Sequence, residues 1–205
     1  MIYGVGTGRC GTHSMASALW GLDEPRPWPR KSAKAYHGDP DAIADTAEVF
    51  VQRLKLKTPA IVDLHQSWCV PLLRDIDPDA SFVWAVRHPA DYVASVVGGN
   101  WWKPENEAGD HDNTLWHPEG GWSEGTSRIE KATRYWKAMN EMLLVHYVAA
   151  ARPWRCHRTT DLPKHLAAAI MDKPPLTGPE RVAVMAHCGG VWAAVDTELA
   201  EPWPP

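Results

Sequence analysis

The sequence predicts an α/β fold: a single domain over residues 1–205 with a central, mostly parallel sheet. Three observations carry that expectation. Short β-rich apolar runs alternate with segments of helical spacing, as in proteins whose strands and helices alternate along the chain. The first run, in "MIYGVGTGRCGTHSMASALWGL", passes through a glycine-rich turn straight into a helix-like stretch. The runs "PAIVDLH" and "SFVWAVR" are short and nearly continuously apolar, the pattern of parallel strands buried on both faces.

In chain order, Ile2, Tyr3 and Val5 make a short apolar strand, and from Thr12 onward Met15, Leu19 and Leu22 fall at helical spacing, with Gly21 interrupting. A proline- and lysine-rich segment runs from Pro25 to Lys34. Asp39 and Pro40 read as N-cap and first position of a helix carrying Ile43, Ala47, Phe50 and Leu54, a stripe expected to face the sheet. The two buried strands follow, bounded by Pro59 and "DIDPDA", and Pro89 opens the next helix. Between Asn100 and Thr126 lies a polar stretch with Trp101, Trp102, Trp116 and Trp122, too long for a plain connector and expected to form a lid or acceptor-binding loop. "SRIEKATRYWKAMNEMLLVHYVAA" reads as a long helix, "WRCHRTT" as a strand, "DLPKHLAAAIM" as a helix and "EPWPP" as irregular. "GPERVAVMAHCGGVWAAV" receives no assignment.

Composition narrows the function. Twenty-one Lys plus Arg against 25 Asp plus Glu leave a net charge of -4, so no global basic field draws in nucleic acid or anionic lipid, and any anion site must be local. No apolar run approaches the ~20 residues of a membrane span, and with the glycine loop starting at Gly4 neither a membrane span nor a leader is expected. Cys10, Cys69, Cys156 and Cys188 show neither paired nor zinc-finger spacing and are expected as free thiols of a cytoplasmic protein. Asp110, His111 and Asp112 are adjacent loop residues with poor convergent geometry, and no metal is expected.

The opening loop is the chemical signal. A strand entering a glycine-rich turn and then a helix exposes backbone N–H groups where the helix dipole is positive, an arrangement suited to an anion. The pattern GxxxxGK[ST] nearly fits from Gly6 to Gly11, but Thr12 and His13 stand where Lys and Ser/Thr belong. A dinucleotide fingerprint fits poorly, because the downstream acid has no clear place.

"GTGRCGTHS" resembles the phosphosulfate-binding loop of sulfotransferases that use 3′-phosphoadenosine 5′-phosphosulfate (PAPS), with Arg9 at the basic position, Gly11 at the turn and Thr12 and His13 after it. An arginine there is similar to the carbohydrate-modifying branch. "FVWAVRHPADYVASVV" resembles the family's 3′-phosphate motif, with Arg87 at a strand end and Ser95 eight residues on, and "PAIVDLHQSWCVPLL" resembles the strand that ends in the catalytic histidine, here His65. The likeness covers roughly Ile2 to Met171, with its specific motifs at Gly6–His13 and Arg87–Ser95.

The resemblance implies a P-loop, nucleoside-triphosphate-hydrolase-like sulfotransferase fold, with PAPS as sulfuryl donor, its desulfonated product PAP, and no metal. Gly8, Arg9, Cys10, Gly11, Thr12 and His13 would hold the donor's 5′ end, and Arg87 and Ser95 its 3′-phosphate. His65 would take the acceptor's proton and Arg9 would stabilise charge on the leaving phosphate. Asp63, on the same face of the expected strand, would orient His65 or itself act as base. With Trp101, Trp102 and Trp122 it is also a candidate contact for a small-molecule or carbohydrate acceptor. A P-loop phosphoryl-transfer kinase and a non-catalytic nucleotide-binding module are the rival readings.

Overall fold

The computed structural model describes residues 1–23, 25, 32–99, 126–148, 155–158 and 176–197. Trp101, Trp102, Trp116, Trp122 and the rest of the expected lid up to residue 125 lie outside them, as do Asp110, His111 and Asp112, "DLPKHLAAAIM" and "EPWPP".

The described chain is α/β. Its strands are β1 (Ile2–Gly6), β2 (Leu22–Asp23), β3 (Ala60–Val62), β4 (Ser81–Val86) and β5 (Arg155–Arg158). They form one sheet in the order β2-β3-β1-β4-β5, and every pairing is parallel. The α-helices are α1 (Thr12–Ala18), α2 (Ser32–Tyr36), α3 (Pro40–Leu54), α4 (Val70–Ile76), α5 (Pro89–Val97), α6 (Arg128–Val148) and α7 (Gly178–Thr197), and a 3₁₀ helix spans His65–Cys69.

Side chains alternate across each strand. Tyr3, Val5, Ile61, Phe82, Trp84 and Val86 join Phe50, Leu73, Tyr92 and Trp136 in the larger core cluster. Val62, Val83 and Ala85 point the other way and pack with Cys10, Met15 and Ala16. Both faces of the sheet are therefore covered, which explains the continuously apolar strands.

Three details depart from the sequence reading. Helix α1 ends at Ala18, and Leu22 joins the sheet edge in β2 instead of extending a helical stripe. Gly21 permits that turn, because a Cβ there would lie 2.7 Å from the Ala60 carbonyl oxygen. Helix α3 starts as expected, with Asp39 Oδ1 accepting from the Ala42 N–H at 3.0 Å. Its buried face, however, is Ala42, Thr46, Phe50 and Arg53, while Ile43 is exposed. Finally, the unassigned "GPERVAVMAHCGGVWAAV" lies within the 20-residue helix α7, which buries Val184, Cys188 and Val195 and packs on α6 and α5. Two internal glycines, at about 1 kcal/mol each in helix propensity, hid it from a reading of local pattern. Packing overrides that cost.

Candidate functional site

The loop between β1 and α1 is shaped by three left-handed residues, Gly8 (φ 67°), Arg9 (φ 47°) and Gly11 (φ 93°). Arg9 is the exception among them, since a left-handed conformation costs an L-residue about 1–2 kcal/mol. Gly6 is required for another reason. A Cβ there would lie 2.6 Å from both the Ala85 carbonyl oxygen and Cys10 Sγ, so only glycine lets β1 run against β4 at the point where the loop begins. Gly11 caps α1 without a side-chain hydrogen bond, and the first turn of the helix carries no acid. Thr12 is buried, and the Cys10 thiol, fully buried beneath the loop, is pushed up to about 11, which keeps it neutral. Arg9 Nε is buried with no hydrogen-bond partner.

Arg87 follows the end of β4 and reaches back to this loop, donating from Nη1 to the Arg9 carbonyl oxygen at 3.1 Å. Trp136 fixes the same backbone from α6, with Nε1 donating to the Arg87 carbonyl oxygen at 2.9 Å. Burial lowers the Arg87 pKa from its ordinary value, Asp91 opposes that, and Arg9 adds to it; a guanidinium remains charged throughout. Ser95 is buried within α5. Asp91, on the same helix, lies 3.5 Å from Arg181 Nη1. The chain runs from β1 toward the β2 side of the sheet and from β4 toward the β5 side. The ends of β1 and β4 thus mark the topological switch point, the place where open parallel sheets commonly bind ligands.

His65 stands differently from the sequence expectation. Strand β3 ends at Val62, and His65 opens the 3₁₀ helix instead of ending a strand. Neither is β3 central, for β1 holds that place. The segment is fastened to β1 by its own polar residues. Gln66 Nε2 donates to the Gly4 and Ile61 carbonyl oxygens at 2.7 and 2.8 Å. Ser67 Oγ accepts from the Gly6 N–H at 2.8 Å and donates to the Gly6 carbonyl oxygen at 2.9 Å. The histidine is thereby tied, two residues away, to Gly6 at the end of β1, where the glycine-rich turn begins.

Asp63 is fully buried, and both its oxygens are engaged. Oδ1 accepts from the His65 N–H at 2.8 Å and lies 3.1 Å from His65 Nδ1, while Oδ2 accepts from Arg53 Nη2 at 2.7 Å. Burial pushes the Asp63 carboxyl up, but the hydrogen bond and charge of His65, together with Arg53, outweigh it and lower its pKa. An ionised carboxylate only accepts, so at this contact Nδ1 of His65 is the donor, which leaves Nε2 turned away from Asp63. Asp63 is placed to orient His65, with its two oxygens engaged by His65 and Arg53.

The loop, Arg87 and the His65 segment therefore meet at one edge of the sheet. His13 is exposed and its Nδ1 pairs with Asp23 at the end of β2. Arg53, Gln66 and Ser67 escaped the sequence reading. An arginine inside the apolar stripe of α3 was the available signal for the first, and polar residues within a buried turn for the others. Among the described residues no group of three or more His, Cys, Asp or Glu could hold a metal ion, and no helix is long and apolar enough to cross a membrane. Comparison of the chain with protein-family models, with curated proteins and with solved structures found no match in any of the three.

Proposed function

We propose that this protein transfers a sulfuryl group from PAPS to a hydroxyl or amine of a small-molecule or carbohydrate acceptor, in the cytoplasm and on a P-loop sulfotransferase fold. The observation that carries the reading is the Arg87–Arg9 hydrogen bond, which links the end of β4 to the glycine loop and brings two arginines to the switch point beside the tethered His65 segment. Two cations and an uncapped loop suit a donor with anionic groups at both ends. The buried Arg9 Nε has no hydrogen-bond partner in the free fold, and an anion that reached it would supply one.

In this mechanism Arg9, Thr12 and the loop N–H groups hold the phosphosulfate, and Arg87 with Ser95 holds the 3′-phosphate. His65 Nε2 accepts the acceptor's proton as its oxygen or nitrogen bonds to sulfur. The bond from sulfur to the bridging oxygen breaks in line, and PAP leaves with the negative charge that Arg9 and the loop stabilise. Thr12 in the place of the loop lysine favours sulfuryl over phosphoryl transfer.

Thermal stabilisation tests the reading. PAP without magnesium is expected to stabilise the protein by about 2.7 kcal/mol at a hundredfold excess over Kd. Labelled PAPS should then transfer label within an acceptor panel. Stabilisation by Mg-ATP alone would overturn the proposal in favour of a kinase, and binding of PAP without transfer in any acceptor class would leave a binding module.

A further inference from the structure

Arg53 is a charged residue in a position the fold reserves for apolar side chains. It shares the buried face of α3 with Ala42, Thr46 and Phe50, and its side chain is 1% exposed. A buried ion pair is a poor source of stability, since apolar residues of similar volume commonly serve as well. Its partner points to a different use. Arg53 Nη2 contacts Asp63 Oδ2 at 2.7 Å, and the opposite oxygen of that carboxylate faces the ring and the backbone N–H of His65. The same nitrogen also donates to the Pro25 carbonyl oxygen at 2.6 Å, a second contact that fixes the end of the side chain beside the carboxylate.

We propose that Arg53 is a positioning residue for His65, acting through Asp63: by holding Oδ2 it keeps the carboxylate ionised and turned so that Oδ1 fixes the Nδ1–H tautomer, leaving Nε2 as proton acceptor. Calling that acceptor a base rests on the sulfuryl-transfer reading; the tautomer itself does not. Every charged group in the chain of contacts has a defined task. Arg53 orients Asp63, Asp63 orients the imidazole, and the Ser67–Gly6 pair sets the position of the whole turn against the loop.

The experiment reads the tautomer directly, by two-bond ¹H–¹⁵N correlation of the histidine rings in the full chain at pH 8, with His65 assigned from its loss in His65→Gln. Wild type is expected to show Nδ1–H and a bare Nε2; an Nε2–H ring in wild type overturns the proposal without any variant. In Asp63→Asn, Arg53 demands the amide oxygen, the amide NH₂ turns to Nδ1, and the ring is expected to switch to Nε2–H. In the double variant Arg53→Met, Asp63→Asn that demand is gone, the His65 N–H recaptures the amide oxygen, and Nδ1–H is expected to return. The same tautomer in both variants overturns a role for Arg53. If Asp63→Asn fails to fold, Arg53→Met decides: with the contact to Oδ2 removed Nδ1–H is expected to lose its predominance, and a ring unchanged from wild type rejects the proposal. If the tautomers behave as expected while His65→Gln transfers sulfuryl at the wild-type rate, the positioning stands and the assignment of His65 as base falls.

Discussion

Replacing Arg9 with glycine should stabilise the fold while weakening ligand binding, and the structure sets the size of both effects. Arg9 sits at φ 47°, where an L-residue is strained by about 1–2 kcal/mol and glycine is not. Glycine loses more chain entropy on folding, about 0.5–1 kcal/mol, so the net gain is about 0.5–1 kcal/mol. For a chain of this size that corresponds to a melting temperature raised by about 1–4 °C. The architecture should survive, because Arg87 grips the carbonyl oxygen of residue 9 and not its side chain. The lost charge-assisted contact should cost about 1.5–3 kcal/mol of binding, or about 10–150-fold in PAP affinity. Differential scanning calorimetry of the free protein and isothermal titration with PAP measure the two quantities on the same sample. A higher melting temperature with unchanged PAP affinity would refute the role given to the side chain. A melting temperature several degrees lower would refute the claim that the loop holds Arg9 under strain.

Other substitutions probe neighbouring parts. Arg87→Ala should also weaken PAP by about 10–150-fold, and by calorimetry an unaltered Kd would remove it from the 3′-phosphate. His65→Ala should leave PAP affinity intact and slow single-turnover transfer by about 10²–10⁴-fold, with an unslowed rate pointing to a different base. Gly6→Ala forces a Cβ to 2.6 Å from the Ala85 carbonyl oxygen and should cost about 1–3 kcal/mol, read as a lower urea midpoint; an unchanged midpoint would show that the loop and β4 can part there. His88 and His146 both have pKa values lowered by burial, opposed by Asp91 for the first and reinforced by Arg74 for the second. The unfolded chain then binds protons that the folded one refuses, so stability should be full above about pH 6.5 and fall as pH drops below it. A melting temperature that stays level from pH 7.5 to 5.5 would contradict this.

How much of this was legible depends on whether the signal is local. The strand, glycine loop and helix at the start were readable, because positive-φ glycines, a missing cap and apolar runs are written within a few neighbouring residues. The parallel strands around Ile61 and Trp84 were readable from their continuous apolar character, and Asp39–Pro40 marked the start of α3. The stripe of α3 is displaced from the apolar positions because Arg53 is buried, and its burial depends on Asp63 and Pro25, which lie elsewhere in the sequence. The end of β3 was set too late for a similar reason. Asp63 leaves the strand to accept bonds from His65 and Arg53, a tertiary demand that apolar periodicity does not register. Helix α7 was missed because its stabilisation comes from packing on α5 and α6, against the preference of Gly189 and Gly190.

The electrostatics of the switch point give these pieces a common direction. The chain as a whole is acidic, yet at the switch point two arginines approach one another closely enough for Arg9 to depress the Arg87 pKa, beyond the larger effect of burial and against the pull of Asp91. Like charges held together in a partly desolvated place raise the energy of the fold. The left-handed backbone at Arg9 and the buried, partnerless Nε raise it further. On the proposed reading a polyanionic donor would relieve the repulsion, and part of its binding energy would come from cost already built into the free fold. The same logic separates the two halves of the site. Around His65 every charge is balanced, with Asp63 set between Arg53 and the imidazole, as suits a group that must hold one orientation. Around Arg9 and Arg87 positive charge gathers, with Asp91 pulling against it, as the proposed polyanionic donor would require.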